Sequence, residues 1–332
     1  MAAIALRSPQ YKSAVADTGS PNSAKITISI DGTIQYTLVK RTSLNETMLW
    51  EIAELCRDFI DITFNGTYSA ETLAIISTLT SHASTDGSGT ALTTDTFTDI
   101  GYDAYGTFME GDNPTVPFGS RPTWLVSGDP DHTGINDEYY IYVPNNKGGY
   151  VPYITVLEQL GYQVYSTTAT EIVGSPAGTK MNIVRVDCTK YGDGHKITFV
   201  NKYGALQDIW FFLKSVNTTN KKQEQFQRNI ITSTGTYDEN VHTKQDYNTI
   251  ANTSVTLSSG YYPEWANQWF EQLILSEQVW LTRPNPFNPS QDEVVPVNVK
   301  KNNLVKKTSL NDKLIDYTFD FDMSFDYINN IR

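Results

Sequence analysis

Four histidines, two cysteines and one carboxylate-rich loop are the residues whose types could do chemistry in this chain. His82, His132, His195 and His242 stand in four separate polar contexts. None has the spacing that sets two imidazoles on one helical face around a zinc ion. His195 sits within Gly192-Asp-Gly-His-Lys196, the pattern of a turn. Cys56 and Cys188 occur without any Cys-x-x-Cys, so neither a disulfide framework nor a structural zinc site is implied. Two buried thiols are expected, with a pairing across the fold as the alternative. Asp129-Pro-Asp-His-Thr-Gly-Ile-Asn-Asp-Glu138 offers the hard oxygens that calcium takes, but not the calcium-loop spacing, and reads as a solvated loop. The chain has neither a Gly-x-Ser-x-Gly elbow nor a phosphate-binding loop. No catalytic, cofactor-binding or metal-binding set is nominated, and the expectation is a protein that is not an enzyme and carries no cofactor.

The aromatic residues are the one binding signal. With 20 Tyr and 14 Phe, the chain has side chains that stack on sugar rings while keeping a polar tip hydrated. Tyr102, Trp124, Tyr261 and Trp265 are the candidates for such contacts. The competing use, which we favour, is to fill cores and subunit contacts, where aromatics are equally enriched.

A net charge of −12 repels phosphate backbones, so nucleic acid is not an expected partner. The best basic stripe, Val299-Lys-Lys-Asn-Asn-Leu-Val-Lys-Lys307, reads as a solvated connection before a strand. The apolar run Ala2–Leu6 is shorter than a signal peptide requires, and no stretch approaches the about 18 apolar residues of a membrane-spanning helix. No membrane partner is expected.

Aromatic and Thr enrichment with only 19% charged residues favours pleated, half-buried strands. Ile26, Ile28 and Ile30 alternate with polar residues, Asp31-Gly32 is a hairpin turn, and Ile34, Tyr36 and Leu38 return. Within 47–64 a strand, a short helix near Glu54–Asp58 and a second strand are expected. The segment His82-Ala-Ser-Thr-Asp-Gly-Ser-Gly-Thr90 reads as an exposed tip. Strands are expected over 139–143, 162–165, 181–188, 196–200, 208–213 and 276–282. Pro263 opens a helix with Trp265, Trp269, Phe270 and Leu273 on one face. From Ile315 to Asp326 strict alternation predicts one long strand, apolar on one face and acidic on the other. Its aspartates are read as solubility and anti-pairing devices.

Leu38-Val-Lys-Arg-Thr-Ser-Leu-Asn-Glu46 is echoed by Leu304-Val-Lys-Lys-Thr-Ser-Leu-Asn-Asp312. The echo is read as two equivalent corners of one sheet. The expected fold is therefore mainly β: an antiparallel β-sandwich core of 24–68 plus 180–332, an inserted smaller β domain over 69–179, and one or two short helices. Residues 1–23 are expected to be an extended arm, lying on a neighbouring subunit and dispensable for folding.

The carboxy-terminal half carries a resemblance. Lys196-Ile-Thr-Phe-Val-Asn-Lys-Tyr-Gly-Ala-Leu-Gln-Asp-Ile-Trp-Phe-Phe212, His242, Leu275-Ser-Glu-Gln-Val-Trp280 and Lys307-Thr-Ser-Leu-Asn-Asp-Lys-Leu-Ile-Asp-Tyr-Thr-Phe-Asp-Phe321 resemble a set of virion structural proteins of tailed phages of marine and Bacteroidota-type hosts. The closing Phe325–Arg332 is similar too. The resemblance covers 180–332 and, in outline, 24–66. It implies a virion component made in the bacterial cytoplasm, a homo-oligomer in contact with other virion structural proteins, with no catalytic residues to carry over. Placement in the tail, as a ring, adaptor or baseplate-type subunit, follows by analogy of fold alone. Two other readings are a host-surface glycan-binding module and an envelope-degrading hydrolase, for which no residue set is nominated.

Overall fold

The computed structural model describes residues 2–14, 23–41, 47–66, 72–105, 113, 138–144, 171–174, 179–186, 194–202, 204, 206–237, 239–285, 288, 291–300, 303–307, 314–325 and 327–328. The chain is mainly β, with largely antiparallel sheets and two short helices among the described residues. It divides into two compact units. The first comprises Met1–Ile141, Gly149–Val184 and Phe199–Asp208, and the second Tyr142–Gly148, Arg185–Thr198 and Ile209–Arg332.

Unit 1 is built around a five-stranded sheet of β1 (Ala2–Ala5), β3 (Ser23–Ile30), β4 (Thr33–Arg41), β6 (Thr72–His82) and β7 (Ala91–Tyr102), in the order β1-β7-β6-β3-β4. The predicted hairpin joins β3 to β4. Asp31 and Gly32 both take positive φ, 48° and 82°, the geometry that matches a two-residue turn to strand twist. Alternation places Ile26, Ile28, Leu73, Ile75 and Leu79 on one buried face. That face is covered by a small sheet of β2 (Tyr11–Ala14) and β5 (Met48–Glu51), with α1 (Ala53–Arg57), which contribute Trp50, Ile52 and Cys56 to the same core. The expected strand after α1 does not form: residues 60–66 are irregular.

Two expectations are corrected here. Residues 24–41 pair with 72–102, which were expected in the inserted domain, because β6 presents a row of buried apolar residues that β3 matches position by position from Ser23–His82 to Ile30–Ile75. Nor do residues 2–14 form a dispensable arm. β1 runs parallel to β7, from Ala2 opposite Asp99 to Ala5 opposite Tyr102, and Ile4 and Leu6 are buried in the core. Gly101 makes this possible, since a Cβ there would come within 2.8 Å of both Leu6 Cδ1 and Ile75 Cδ1.

A larger sheet makes up most of unit 2, although Phe199–Val200 and Leu206–Asp208 of its first two strands are grouped with unit 1. Its strands are β11 (His195–Val200), β12 (Leu206–Phe211), β13 (Ser215–Gln227), β14 (Lys244–Ser258), β16 (Val279–Pro284), β17 (Asp292–Val299) and β19 (Thr318–Met323), with β20 (Tyr327–Ile328) alongside β14. They lie in the order β12-β11-β16-β17-β19-β14-β13. A 3₁₀ turn, Glu264–Ala266, entered from Pro263, leads into α2 (Asn267–Leu275). The predicted apolar face is present: Trp269, Phe270 and Leu273 are buried, and Trp265 packs edge-on against Trp269 at 5.0 Å. Phe270 stacks on Phe319 at 5.8 Å, while Phe211 meets Phe270, Phe319 and Phe321 edge-on. A third sheet contains β8 (Glu138–Pro144), β9 (Glu171–Gly174) and β10 (Thr179–Val186), ordered β8-β10-β9. The strand expected at 162–165 lies outside the described residues.

The acidic segment keeps its alternation as far as Met323, with Phe325 43% exposed, but not its continuity. Ile315, Tyr317, Phe319, Phe321 and Met323 are all buried, yet pairing breaks at 316–317 between β18 (Leu314–Ile315) and β19. Ser259 causes the break, since its N–H donates to the Tyr317 carbonyl and its Oγ accepts the Tyr317 N–H. Leu314 and Ile315 pair instead with β15 (Tyr262–Pro263). Because β19 lies inside the sheet, its aspartates do not guard an edge. Asp322 pairs with Lys300 at 2.8 Å and Asp320 accepts the Thr256 hydroxyl at 2.5 Å. Of the echoed segments, residues 42–46 and 308–312 lie outside the described residues, and the remainders differ. Leu38–Arg41 belongs to β4 in unit 1, whereas 304–307 is irregular chain in unit 2, fixed by Tyr317.

Two outcomes are expected. Deleting residues 2–14 will lower the thermal midpoint of unit 1, measured by calorimetry, because it strips Ile4 and Leu6 from the core. Phe319→Ala will cost about 3–5 kcal/mol in urea unfolding followed by fluorescence, as for other large aromatic truncations in a packed core.

Candidate assembly surface

The sequence-nominated residues are distributed over both units. Tyr102 ends β7, half-buried, and burial pushes its phenol above the ordinary range. Tyr261 is 67% exposed beside β15, and Trp265 is half-buried against Trp269. Trp124 lies outside the described residues, as do residues 129–137, which include His132, and residues 187–193, which include Cys188. Tyr102 belongs to unit 1 and the Tyr261–Trp265 pair to unit 2.

The titratable groups are dispersed too. His82 is buried at the end of β6, His195 is half-buried and held below its ordinary range by desolvation, and His242 is exposed. Among the described residues no group of three His, Cys, Asp or Glu side chains could hold a metal ion. Cys56 is buried, and desolvation, aided by the negative charges of Glu51 and Asp99 and opposed by Lys12, pushes its thiol up to about 12. A thiol with that value stays protonated at neutral pH and is a poor nucleophile.

The feature that stands apart is a β-ribbon that sequence reasoning missed. Strands β13 and β14 pair antiparallel from Ser215–Leu257 to Gln227–Lys244. All residues of β13 are exposed. Among the described residues β14 has a third strand alongside it only at Ser254–Ser258, from β19, and at Ile250–Ala251, from β20. Residues 244–249 therefore pair with β13 alone among the described residues, and that two-stranded portion extends about 20 Å at the usual strand rise. Asn248 and Thr249 together face Gln223, and the bulge is closed by Asn248 in the left-handed region at φ 49°.

The ribbon's side chains sort into distinct clusters. Asp246 accepts from Lys221 at 3.2 Å and from Gln225 at 2.8 Å, and the amide bond leads in holding its carboxyl below the ordinary range. Phe226 and Tyr247 meet edge-on at 5.7 Å, 44% and 47% exposed, and a hydrogen bond with Glu224 raises the Tyr247 phenol. At the tip, Ile231 and Tyr237 bridge the chain and are 60% and 61% exposed. Their turn is tied by Thr232, Thr234 and Thr236 hydroxyls, with Thr232 Oγ1 2.8 Å from Thr236 Oγ1.

Polar β13 lacks the alternation that announces a strand, which is why it was not read from the sequence. The usable signal was indirect: Val255 and Leu257 alternate in the second strand, and Thr232-Ser-Thr-Gly-Thr236 is a turn midway between two Thr/Asn-rich runs.

Chemically, this surface offers backbone hydrogen-bonding groups along an open strand, an aromatic pair and an apolar tip. No family model, curated protein or solved structure matches the chain.

The Cys56 thiol is expected to resist iodoacetamide at pH 8 in the native protein and to react once the protein is unfolded, as read by mass spectrometry. Its raised value binds a proton more tightly in the folded state. The associated stability is complete below the ordinary thiol value of 9.0 and is lost as pH rises towards about 12.

Proposed function

We propose that this chain is a structural subunit of a tailed-phage particle, a ring, adaptor or baseplate-type component of the tail that assembles with other copies and with other virion proteins. The observation that carries this reading is the ribbon: a 13-residue edge strand, exposed throughout, whose Phe226 forms an exposed aromatic pair with Tyr247 of β14 where no third strand lies alongside among the described residues.

A two-stranded ribbon is marginal on its own in water. Its open edge is a template for another strand, and soluble monomers ordinarily blunt such edges by keeping them short, charging them or covering them. Here the strand is long, and Lys221 and Lys222 are its only basic residues. Packing against a neighbouring protein would cover Phe226 and Tyr247 and supply the missing third strand. The resemblance of 180–332 to virion structural proteins points to the same role.

Two measurements test this. Mass spectrometry of particles purified from an infected culture should find the chain at a fixed ratio to other virion proteins; its absence overturns the reading. For the purified chain, Phe226→Ser with Tyr247→Ser should leave stability within about 0.5 kcal/mol, as surface changes do. The same variant should raise the concentration for half-assembly at least about tenfold by light scattering. Unaltered assembly would remove the ribbon from the account.

A further inference from the structure

Residues 2–14 form a strap whose anchors all lie far along the chain. Leu6 donates to the Tyr102 carbonyl and Arg7 to that of Ala104, both at 2.9 Å, while Ile52 donates to Gln10. Arg7 grips Asp103 with two guanidinium nitrogens, at 2.6 and 2.9 Å. Lys12 meets Asp99 at 2.5 Å and lies over the Phe97 ring. The Asp99 and Asp103 side chains are each only 4% exposed.

We propose that this strap is exchanged between copies, residues 2–14 of one chain seating on β7 and β5 of the next. The inference rests on the reading of the chain as an assembly subunit and names the contact that would link its copies. The seat determines its occupant. Two nearly buried carboxylates left without cations would carry a heavy desolvation penalty. The space over Gly101 accepts the Leu6 side chain. A second copy supplies the same cations, the same leucine and the same parallel strand, so every bond made within one chain is remade between two. Exchange of an identical element is a low-cost route to assembly, and repeated head-to-tail it closes a ring when the rotation permits. The connection to β3 is Val15-Ala-Asp-Thr-Gly-Ser-Pro-Asn22, long enough to reach about 29 Å at full extension.

A charge exchange separates this from a strap held within one chain. Arg7→Asp in one chain and Asp103→Arg in another each set like charges together when alone. In an exchanged pair, the strap carrying Arg7→Asp seats on the chain carrying Asp103→Arg, and the unaltered Arg7 of that second chain seats on the unaltered Asp103 of the first. Both contacts are then complementary. Co-expression should give mixed oligomers in at least about tenfold excess over either pure species by native mass spectrometry. The single-chain variant carrying both changes is the folding control. If it folds and the co-expressed chains remain unassociated, the inference is overturned.

Should the buried substitutions fail to fold, a surface pair decides the matter. Ser13 and Leu49 are exposed register partners on β2 and β5. Ser13→Cys with Leu49→Cys, oxidised in the assembled full chain, should give covalent multimers on a non-reducing gel; internally bridged monomers alone would overturn the proposal. Covalent multimers from a protein missing from virions would sink the phage reading and leave the exchange standing.

Discussion

A strand at the rim of a sheet carries a row of backbone N–H and C=O groups that something must satisfy, and the organisation of this chain follows from how its rims are treated. In unit 1 the strap lays β1 along β7 as the outermost strand and ties it down with two ion pairs. On the opposite side β4 is a rim with a basic end, where Lys40 bonds the Leu49 carbonyl and lies over the Trp50 ring. In the larger sheet β13 is a rim along its whole length and has no such cover among the described residues. The strap thus covers β7, while β13 stays exposed along its whole length.

What allows the ribbon to project is the rigidity of its base. Phe211, Phe270, Phe319 and Phe321 form a continuous aromatic contact between the sheet and α2. Edge-on and offset arrangements of this type add directional preference to the burial of large apolar area. Beside them, the Tyr317 hydroxyl donates to Asn267 Oδ1 and accepts the Lys307 N–H, while the Asn267 amide donates to the Lys307 carbonyl. This closed network fixes irregular chain without any strand pairing, and it satisfies polar groups that would be costly if buried alone. β14 thus leaves a firmly packed sheet at Ser254–Ser258 and continues outwards as half of the ribbon.

The sequence made the elements with a buried face readable. The β3–β4 hairpin, the apolar face of α2 and the buried parity from Ile315 to Met323 all follow from side-chain periodicity, which is local information. It did not reveal the ribbon. Ser215–Gln227 buries neither face, so selection for a core never imposed a period on it. The candidate aromatics were misleading for a related reason. An exposed Tyr261 and a half-buried Trp265 look alike as letters, and only their neighbours separate a packed ring from an available one.

Composition and periodicity by themselves determined that the chain is mainly β, where its best-patterned strands and second helix lie, and which of their residues face inwards. Tertiary structure alone decided which strands meet. Register and partner depend on matching one buried row to another across large sequence separations, as when β3 pairs with β6 rather than with a strand of the carboxy-terminal half. It also decided that residues 2–14 are structural, because the carboxylates of Asp99 and Asp103, nearly a hundred residues away, become partners only when the fold brings them to Lys12 and Arg7.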